Sequence, residues 1–208
     1  DRVVAILKEA DCPYVRIASV SLDEPACMVV THDSRGAAQA ARHLAELGHQ
    51  RIAFISGPDT FRSSHERGRG FAEGLAEHGL VLDPAYVRRA AYTFESGVEA
   101  ATELLALPQR PTAIFAGNDE MAIGVMKAAR DAGLDVPRDL SIVGFDDLPM
   151  ASRVWPNLTT VRLPIRDMGR MAAEKLTAGL RGLDPATLVQ PEVDPSLVVR
   201  DSTAPPNR

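Results

Sequence analysis

The sequence predicts an α/β fold in which a parallel β-sheet is covered by helices on both faces. Short apolar strands alternate with segments that have helical periodicity, and this order is typical of such sheets. The strands are apolar throughout rather than alternating, as expected of strands buried on both faces. Hydrophobic residues make up 45% and charged residues 25% of the 208 positions, which are ordinary values for a globular protein.

The predicted elements follow one another with clear stop signals. The first helix, 34–47, has Asp33 or Ser34 as its N-cap and Gly48 after its last turn. Glycine or proline ends the strand at 56 and the helices at 78, 105 and 132. We predict strands at 51–56, 87–92, 112–116, 140–145 and 159–162, and helices at 62–78, 95–105, 119–132 and 147–153.

The remaining segments do not belong to this series. Residues 14–18 and 27–30 are strand candidates, and 165–180 form an amphipathic helix whose apolar stripe packs on a sheet. These pieces either decorate the main lobe or belong to a second lobe. The opening residues have the pattern of a helix interior without a cap, so we expect a fragment of a longer chain, and we expect a disordered tail after Asp201.

Composition and motifs exclude several functional classes. The net charge of −5 argues against a phosphate-backbone binder, and no apolar run is long enough to span a membrane. Two cysteines without a CxxC motif are typical of a reducing compartment. The five histidines form no metal-ligand motif, and no nucleophile elbow, P-loop or dinucleotide fingerprint occurs. We therefore expect no catalytic residue, metal or cofactor.

Polar side chains collect where the predicted parallel strands end. Ligands of open α/β sheets bind beyond the carboxyl ends of the strands, so these side chains are candidates for a binding site. Asparagine, aspartate and arginine beside an aromatic ring suit a neutral polyhydroxyl ligand such as a sugar. The candidates are Arg62, Ser63, Ser64, Arg67, Tyr92, Asn118, Asp119, Asp146 and Asp147.

Each of these candidates also has a purely structural interpretation. Asn118 or Asp119 can cap the helix that follows, and we expect one of Asp146 and Asp147 to cap its helix while the other faces the ligand. Arg67 can form a surface ion pair with a neighbouring glutamate, Glu66 or Glu73. Tyr92 can belong to the core.

Five blocks of the sequence resemble the LacI/GalR family of transcriptional regulators. They occur in the family's order and together cover about residues 28–200. The blocks are LGHQRIAFISGP at 47–58, RGRGF at 67–71, PTAIFAGNDEMA at 111–122, VPRDLSIVGFDD at 136–147 and PNLTTV at 156–161.

The resemblance implies a two-lobe fold like that of periplasmic binding proteins. Residues 32–163 and 194–203 would form the C-terminal subdomain, 1–31 and 164–193 part of the N-terminal subdomain, and 204–208 a disordered tail. It places effector contacts on Ser63, Arg67, Tyr92, Asn118 and Asp146, with Ser19, Arg62 and Leu163 as further candidates. Ala18 and Leu163 depart from more polar residues of the family, so the resemblance does not specify the sugar.

The resemblance also implies a function. The chain would be the effector-binding and dimerisation core of a cytoplasmic repressor, in which ligand-induced lobe movement controls operator binding through a headpiece outside this sequence. Candidate dimer contacts are Met121, Val125, Met126 and 150–155, with a core position as the alternative for Met121 and Val125. The rival hypotheses are a periplasmic sugar-binding protein of a transporter and a sugar-active enzyme using Asp146 or Asp147.

Overall fold

The computed structural model of the chain describes residues 2–17, 28–183 and 194–207. It divides into two compact units. The small unit contains the residues up to His32 together with 164–194, and the large unit contains 33–163 together with the residues from Pro195 onward. None of the helices in the described ranges is long and apolar enough to span a membrane.

The large unit contains a six-stranded sheet. The strands are β3 (Ile52–Ser56), β4 (Val87–Arg89), β5 (Ala113–Ala116), β6 (Ser141–Asp146), β7 (Thr159–Arg162) and β8 (Ser196–Val198). Their order in the sheet is β4-β3-β5-β6-β7-β8. All neighbouring strands are parallel except the last pair, in which β8 runs antiparallel to β7, and this confirms the predicted fold class.

Two helices cover each face of this sheet. They are α2 (Asp33–Glu46) and α3 (Arg62–Ala76) on one face, and α4 (Phe94–Leu105) and α5 (Asp119–Asp131) on the other. Successive residues of a strand point to opposite faces, so Phe54 packs against the first helix pair and Ile55 against the second. The shared core therefore lies along both sides of the central strands β3, β5 and β6.

Glycines allow the helices within each pair to approach closely. A Cβ atom added to Gly70 of α3 would lie 2.0 Å from the backbone oxygen of Ser34 in α2, and one added to Gly97 of α4 would lie 2.5 Å from that of Met121 in α5. The space between the first helix pair and the sheet is filled by aromatic rings. Phe71 stacks on Phe115 with ring centroids 4.7 Å apart.

The small unit contains α1 (Arg2–Glu9), a parallel pair formed by β1 (Arg16–Ile17) and β2 (Met28–Val29), and α6 (Ile165–Leu180), which packs on both strands. The predicted strands 14–18 and 27–30 are thus shorter, and residues 18 and 27 lie outside the described ranges. The stripe of α6 buries Met168 and Met171, whereas Ile165 and Leu180 at its ends are exposed.

Several expectations need correction. The strand 87–92 ends at Arg89, and the expected helix 147–153 is a 3₁₀ turn at Pro149–Ser152, since proline and the preceding irregular backbone leave room for one turn only. The start of the segment after Asp201, for which we expect disorder, packs against the sheet. Ser202 is fully buried, and the carbonyl oxygen of Ala204 accepts a hydrogen bond from Ser141 at 2.9 Å.

Candidate functional site

The carboxyl ends of the central strands carry the predicted polar residues in the large unit. Ser63 and Arg67 lie in the first two turns of α3, Asn118 precedes α5 directly, and Asp146 is the last residue of β6. Tyr92 lies three residues beyond β4. Because β3, β4, β5 and β6 are parallel, all these positions meet at one edge of the sheet.

Arg67 is the centre of this edge and is only 7% exposed. Its Nε donates to Oδ1 of Asp33 at 2.7 Å, its Nη2 approaches Oδ1 of Asp146 at 3.4 Å, and its Nη1 donates to the Gly117 carbonyl. Its guanidinium carbon lies 3.8 Å from the centroid of the Phe145 ring. A buried guanidinium needs such paired carboxylates, so the interpretation of Arg67 as a surface ion pair is wrong.

The surface pairing expected of Arg67 belongs to its neighbour two residues later. Arg69 donates to Glu66 at 2.7 Å and to Glu73 at 2.9 Å. Arg69 and Arg67 point to different sides of α3 because residues two apart on a helix do not face the same way. The sequence alone could not decide which arginine is buried.

Tyr92 belongs to both the core and the site edge. Its ring packs against the core on the α4–α5 face and lies so close to Gly57 that a Cβ atom there would be 2.0 Å from Cζ. Its hydroxyl is 2.9 Å from Oγ of Ser64 and 3.5 Å from Oγ of Ser63. Its backbone is left-handed, with φ at 62°. A non-glycine residue held in this region carries strain that the surroundings must impose.

Asn118 acts as a helix cap. Its Oδ1 accepts the backbone N–H of Met121 at 2.9 Å, and its Nδ2 donates to the carbonyl oxygen of Tyr92 at 3.0 Å. Both ends of the amide are thus engaged with the protein, which confirms the capping interpretation of this residue. Its predicted contact with an effector stays a prediction.

Asp146 and Asp147 diverge sharply at the end of β6. Both have left-handed backbone conformations, with φ at 107° and 55°. Asp146 faces Arg67, and its side chain is 25% exposed. Burial raises the pKa of Asp146 to about 6, although the positive charge of Arg67 acts to lower it. A partly accessible carboxylate beside a buried guanidinium can accept hydrogen bonds from ligand hydroxyls.

Asp147 is an ion-pair residue rather than a helix cap. Burial opposes its ionisation, but hydrogen bonds from Arg200 and Arg162, each at 2.6 Å, outweigh this and leave the pKa of Asp147 below its ordinary value. The 3₁₀ turn that follows has Leu148 at its N-cap position without a side-chain cap. The expectation that one of the two aspartates caps this turn is therefore wrong.

Asp119 stabilises the start of this turn from the buried side of the sheet edge. It is fully buried and accepts the backbone N–H of Leu148 at 2.7 Å and the hydroxyl of Thr160 at 2.5 Å. Burial is the main reason that its pKa is raised to about 7. Asp119 therefore shapes the turn that carries Asp146 without facing solvent itself.

The other candidates take different places. Nη2 of Arg62 lies 3.6 Å from Oε1 of Glu66 in an ion pair along α3. Leu163 packs against the core on the α2–α3 face. Ser19 lies outside the described residues. Met121 and Val125 are fully buried, so their core interpretation is confirmed and their candidacy as dimer contacts is wrong.

Two residues at this edge are not predicted as site residues from the sequence. The sequence predicts Asp33 only as a possible helix cap, whereas the structure pairs it with Arg67. Phe61 is 48% exposed, and its ring lies beside that of Tyr92. The sequence gives no signal for the role of Asp33, because its pairing with Arg67 depends on how α2 packs against α3. Nothing in the sequence separates Phe61 from a core phenylalanine either.

The edge combines a buried guanidinium, a partly accessible carboxylate, hydroxyls and aromatic rings, which is the chemistry of a binding site for a polar small molecule. Within the described ranges no three histidine, cysteine, aspartate or glutamate side chains are grouped to hold a metal ion. Together with the doubly covered sheet, these features define the class of periplasmic binding protein-like domains, and the family profile of that name matches residues 41–203.

Similarity to known proteins identifies one family within this class. The chain is 36% identical over 170 residues to the probable HTH-type transcriptional repressor ExuR of Bacillus subtilis, covering 82% of this chain and 51% of that protein. The crystal structure of a LacI family transcriptional regulator from Mycobacterium smegmatis is 37% identical, with a TM-score of 0.87 over 99% of this chain and 74% of the other. A LacI family regulator from Enterococcus faecium with bound ribose is 28% identical, with a TM-score of 0.84 over 98% and 75%.

The chain therefore belongs to the LacI family of transcriptional regulators and represents its periplasmic binding protein-like core. It spans about half the length of the curated relative named above.

Proposed function

We propose that this chain is the effector-binding and dimerisation core of a transcriptional repressor, and that its effector is a small sugar or glycoside. The observation that carries the proposal is the pair of the buried Arg67 and the partly accessible Asp146 at the strand-end edge, with Asp33 as the second partner of Arg67. The relative named as a repressor and the ribose held by the Enterococcus faecium regulator support it. The protein would act in the cytoplasm, bind its ligand without chemical turnover, and require no cofactor.

The binding chemistry follows from the accessible part of this pair. Asp146 accepts hydrogen bonds from two ligand hydroxyls, while Arg67 fixes the direction of the carboxylate. Hydrogen bonds to a charged group contribute roughly 1.5–3 kcal/mol each, so the loss of this carboxylate weakens binding at least about tenfold. Ser63, Tyr92 and Asn118 complete the proposed contacts.

Ligand binding regulates DNA affinity by favouring one of two arrangements of the lobes. A ligand shifts such an equilibrium only by its difference in affinity for the two states. We expect another segment of the complete protein to contact the operator, because the net charge of −5 makes this core a poor binder of the phosphate backbone.

The dimer contact lies on the exposed apolar surface around Trp155. Trp155 is 88% exposed. Met150, which precedes it closely in the chain, is also exposed, and so is Phe94 of α4, which lines the same surface cavity as Trp155. Exposed tryptophan and methionine are enriched in protein interfaces. Trp155→Asp should convert the dimer of the complete protein into a monomer in sedimentation experiments, whereas Val81→Asp, at an equally exposed apolar position, should not. A Trp155→Asp variant that stays fully dimeric would contradict this contact.

The decisive experiment measures operator binding by the complete protein across a panel of sugars, using fluorescence anisotropy of DNA from its own promoter region. We expect at least one sugar to change the DNA affinity of wild type and Asp146→Ala to lose this response while it still binds DNA. Asp131→Ala is the control, since Asp131 is exposed on α5 and pairs with the exposed Lys127. A sugar response that survives in Asp146→Ala refutes the site, and absence of any DNA binding refutes the repressor.

The two rival functions predict different results for the same complete protein. Hydrolysis of a bound glycoside would identify an enzyme, and sugar binding by a complete protein without a DNA-binding segment would identify a transport protein. The similarity of this chain to transcriptional regulators favours the repressor over both rivals.

A further inference from the structure

Phe61 is an exposed aromatic ring on a fixed piece of backbone. It directly precedes α3, its N–H donates to the Pro58 carbonyl at 3.1 Å, and its own carbonyl accepts from the N–H of Ser64 at 3.1 Å. These bonds hold the residue in place, yet 48% of it remains exposed. Core packing therefore does not explain why a phenylalanine occupies this position.

The ring of Phe61 pairs with the ring of Tyr92. Their centroids are 5.9 Å apart and their planes are inclined by 75°, an edge-to-face geometry that aromatic pairs favour. Tyr92 cannot turn away easily, because its hydroxyl is bonded to Ser64 and its ring rests on Gly57. The two rings thus form a rigid aromatic pair.

The aromatic pair is continuous with the proposed effector site. The guanidinium carbon of Arg67 lies 5.9 Å from the centroid of Tyr92, and Nη2 of Arg67 lies 3.4 Å from Asp146. One edge therefore presents a hydroxyl-binding carboxylate at one end and an apolar aromatic surface at the other. This combination suits a sugar, whose hydroxyls are polar and whose C–H faces are apolar.

The charges at this edge argue against an anionic ligand. Among the described residues, Arg62 is paired with Glu66, Arg67 with Asp33 and Asp146, and Arg89 with Asp59. Each arginine near the aromatic pair already faces a carboxylate, and a ligand carboxylate or phosphate would in addition meet Asp146. Bringing a further negative charge to such a site is unfavourable.

We infer that Phe61 is a specificity-determining residue that selects a neutral glycoside with an apolar face over sugar acids and sugar phosphates. This inference rests on the proposed function, because it takes a carbohydrate effector as its starting point. It goes further by naming the class of carbohydrate and the residue that distinguishes it.

Matched glycosides test the inference in the complete protein. The probes are the methyl and phenyl β-D-glycosides of glucose, galactose and ribose, together with glucuronate and glucose 6-phosphate, titrated calorimetrically. We expect a phenyl glycoside to bind wild type about three- to tenfold more tightly than its methyl counterpart, in line with the contribution of one aromatic contact. Glucuronate and glucose 6-phosphate should bind more weakly than the neutral sugars.

Two variants and a control assign the preference to the ring. Phe61→Ala should reduce the phenyl-over-methyl preference to about one, and Phe61→Tyr should keep it, because tyrosine restores the aromatic surface. Val81→Ala removes an apolar side chain that is more exposed than Phe61, 88% against 48%, and lies outside the proposed site, so it should leave the preference unchanged. Circular dichroism establishes that each variant is folded.

The outcomes separate the inference from the proposed function. If wild type binds a neutral glycoside and Phe61→Ala keeps the same preference, the role of Phe61 is refuted while the sugar-sensing function stands. Tighter binding of glucuronate or glucose 6-phosphate than of every neutral glycoside refutes the inferred ligand class. Binding of none of the probes by wild type counts against a carbohydrate effector and overturns both.

Discussion

Asp119 should make the stability of the large unit fall as the pH rises towards neutrality. Burial raises the pKa of this carboxyl from 3.8 to about 7, so the folded state binds a proton that the unfolded state releases near pH 4. Between these two values the folded state holds more protons than the unfolded state. The stability that the protonated carboxyl provides is therefore fully present at low pH and is lost as the pH rises through about 7.

The size of the effect follows from the two pKa values. Linkage between them gives a loss of roughly 2–3 kcal/mol in the free energy of unfolding between pH 5 and pH 8. Proteins of this kind are stable by only about 5–15 kcal/mol, so the change lies well within the range of urea unfolding followed by circular dichroism. Asp119→Asn carries no titrating proton, and its curve of stability against pH should lack this slope.

The comparison uses the slope rather than the absolute stability, because asparagine also changes the bonds to Leu148 and Thr160. Asp131→Asn is the matched control on the same helix, since Asp131 is exposed and its replacement should leave the slope of wild type intact. Curves of Asp119→Asn and wild type that run parallel from pH 5 to pH 8 would refute the reasoning, because the buried carboxyl would then not bind the extra proton.

Further outcomes follow from other parts of the large unit and the helices. The pKa of Asp146 is raised to about 6, so its carboxylate becomes protonated as the pH drops through 6. The affinity for the sugar, measured by calorimetry, should fall over the same range, and Asp146→Asn should bind the sugar weakly at every pH. Burial lowers the pKa of His49. The stability that the neutral imidazole provides is therefore present above 6.5, the pKa in the unfolded chain, and is lost at lower pH. His49→Gln should flatten that part of the curve of unfolding free energy against pH, measured by urea unfolding, and an unchanged curve would contradict this. Gly70→Ala should cost about 3 kcal/mol or more because its Cβ meets the Ser34 backbone, whereas Gly169→Ala, with open space around it, should stabilise α6 by up to about 1 kcal/mol in thermal unfolding. Equal melting temperatures for these two glycine variants would show that the close helix approach is absent.

The candidate site was predicted through the strand ends. A parallel sheet brings the carboxyl ends of its strands to one edge, so the positions of the strand ends along the chain were enough to place Arg67, Tyr92 and Asp146 at the same edge. Their bonding did not follow. Whether Arg67 or Arg69 is buried, and whether Asp147 caps a turn or pairs with Arg162, depends on which side chains the packed helices and strands bring within hydrogen-bond distance.

Periodicity, glycine and proline by themselves determined the α/β class and the alternation of strands and helices, because these are local properties of the chain. The family was indicated separately, by the resemblance of five sequence blocks. The tertiary structure decided the features that depend on residues far apart in sequence. Asp33 meets Arg67 only because α2 and α3 pack at Gly70, and Ser202 is buried only because the last segment returns to β6 and β7. The exposure of Phe61 likewise depends on what the rest of the fold leaves uncovered, since its own sequence context gives a phenylalanine no reason to face solvent.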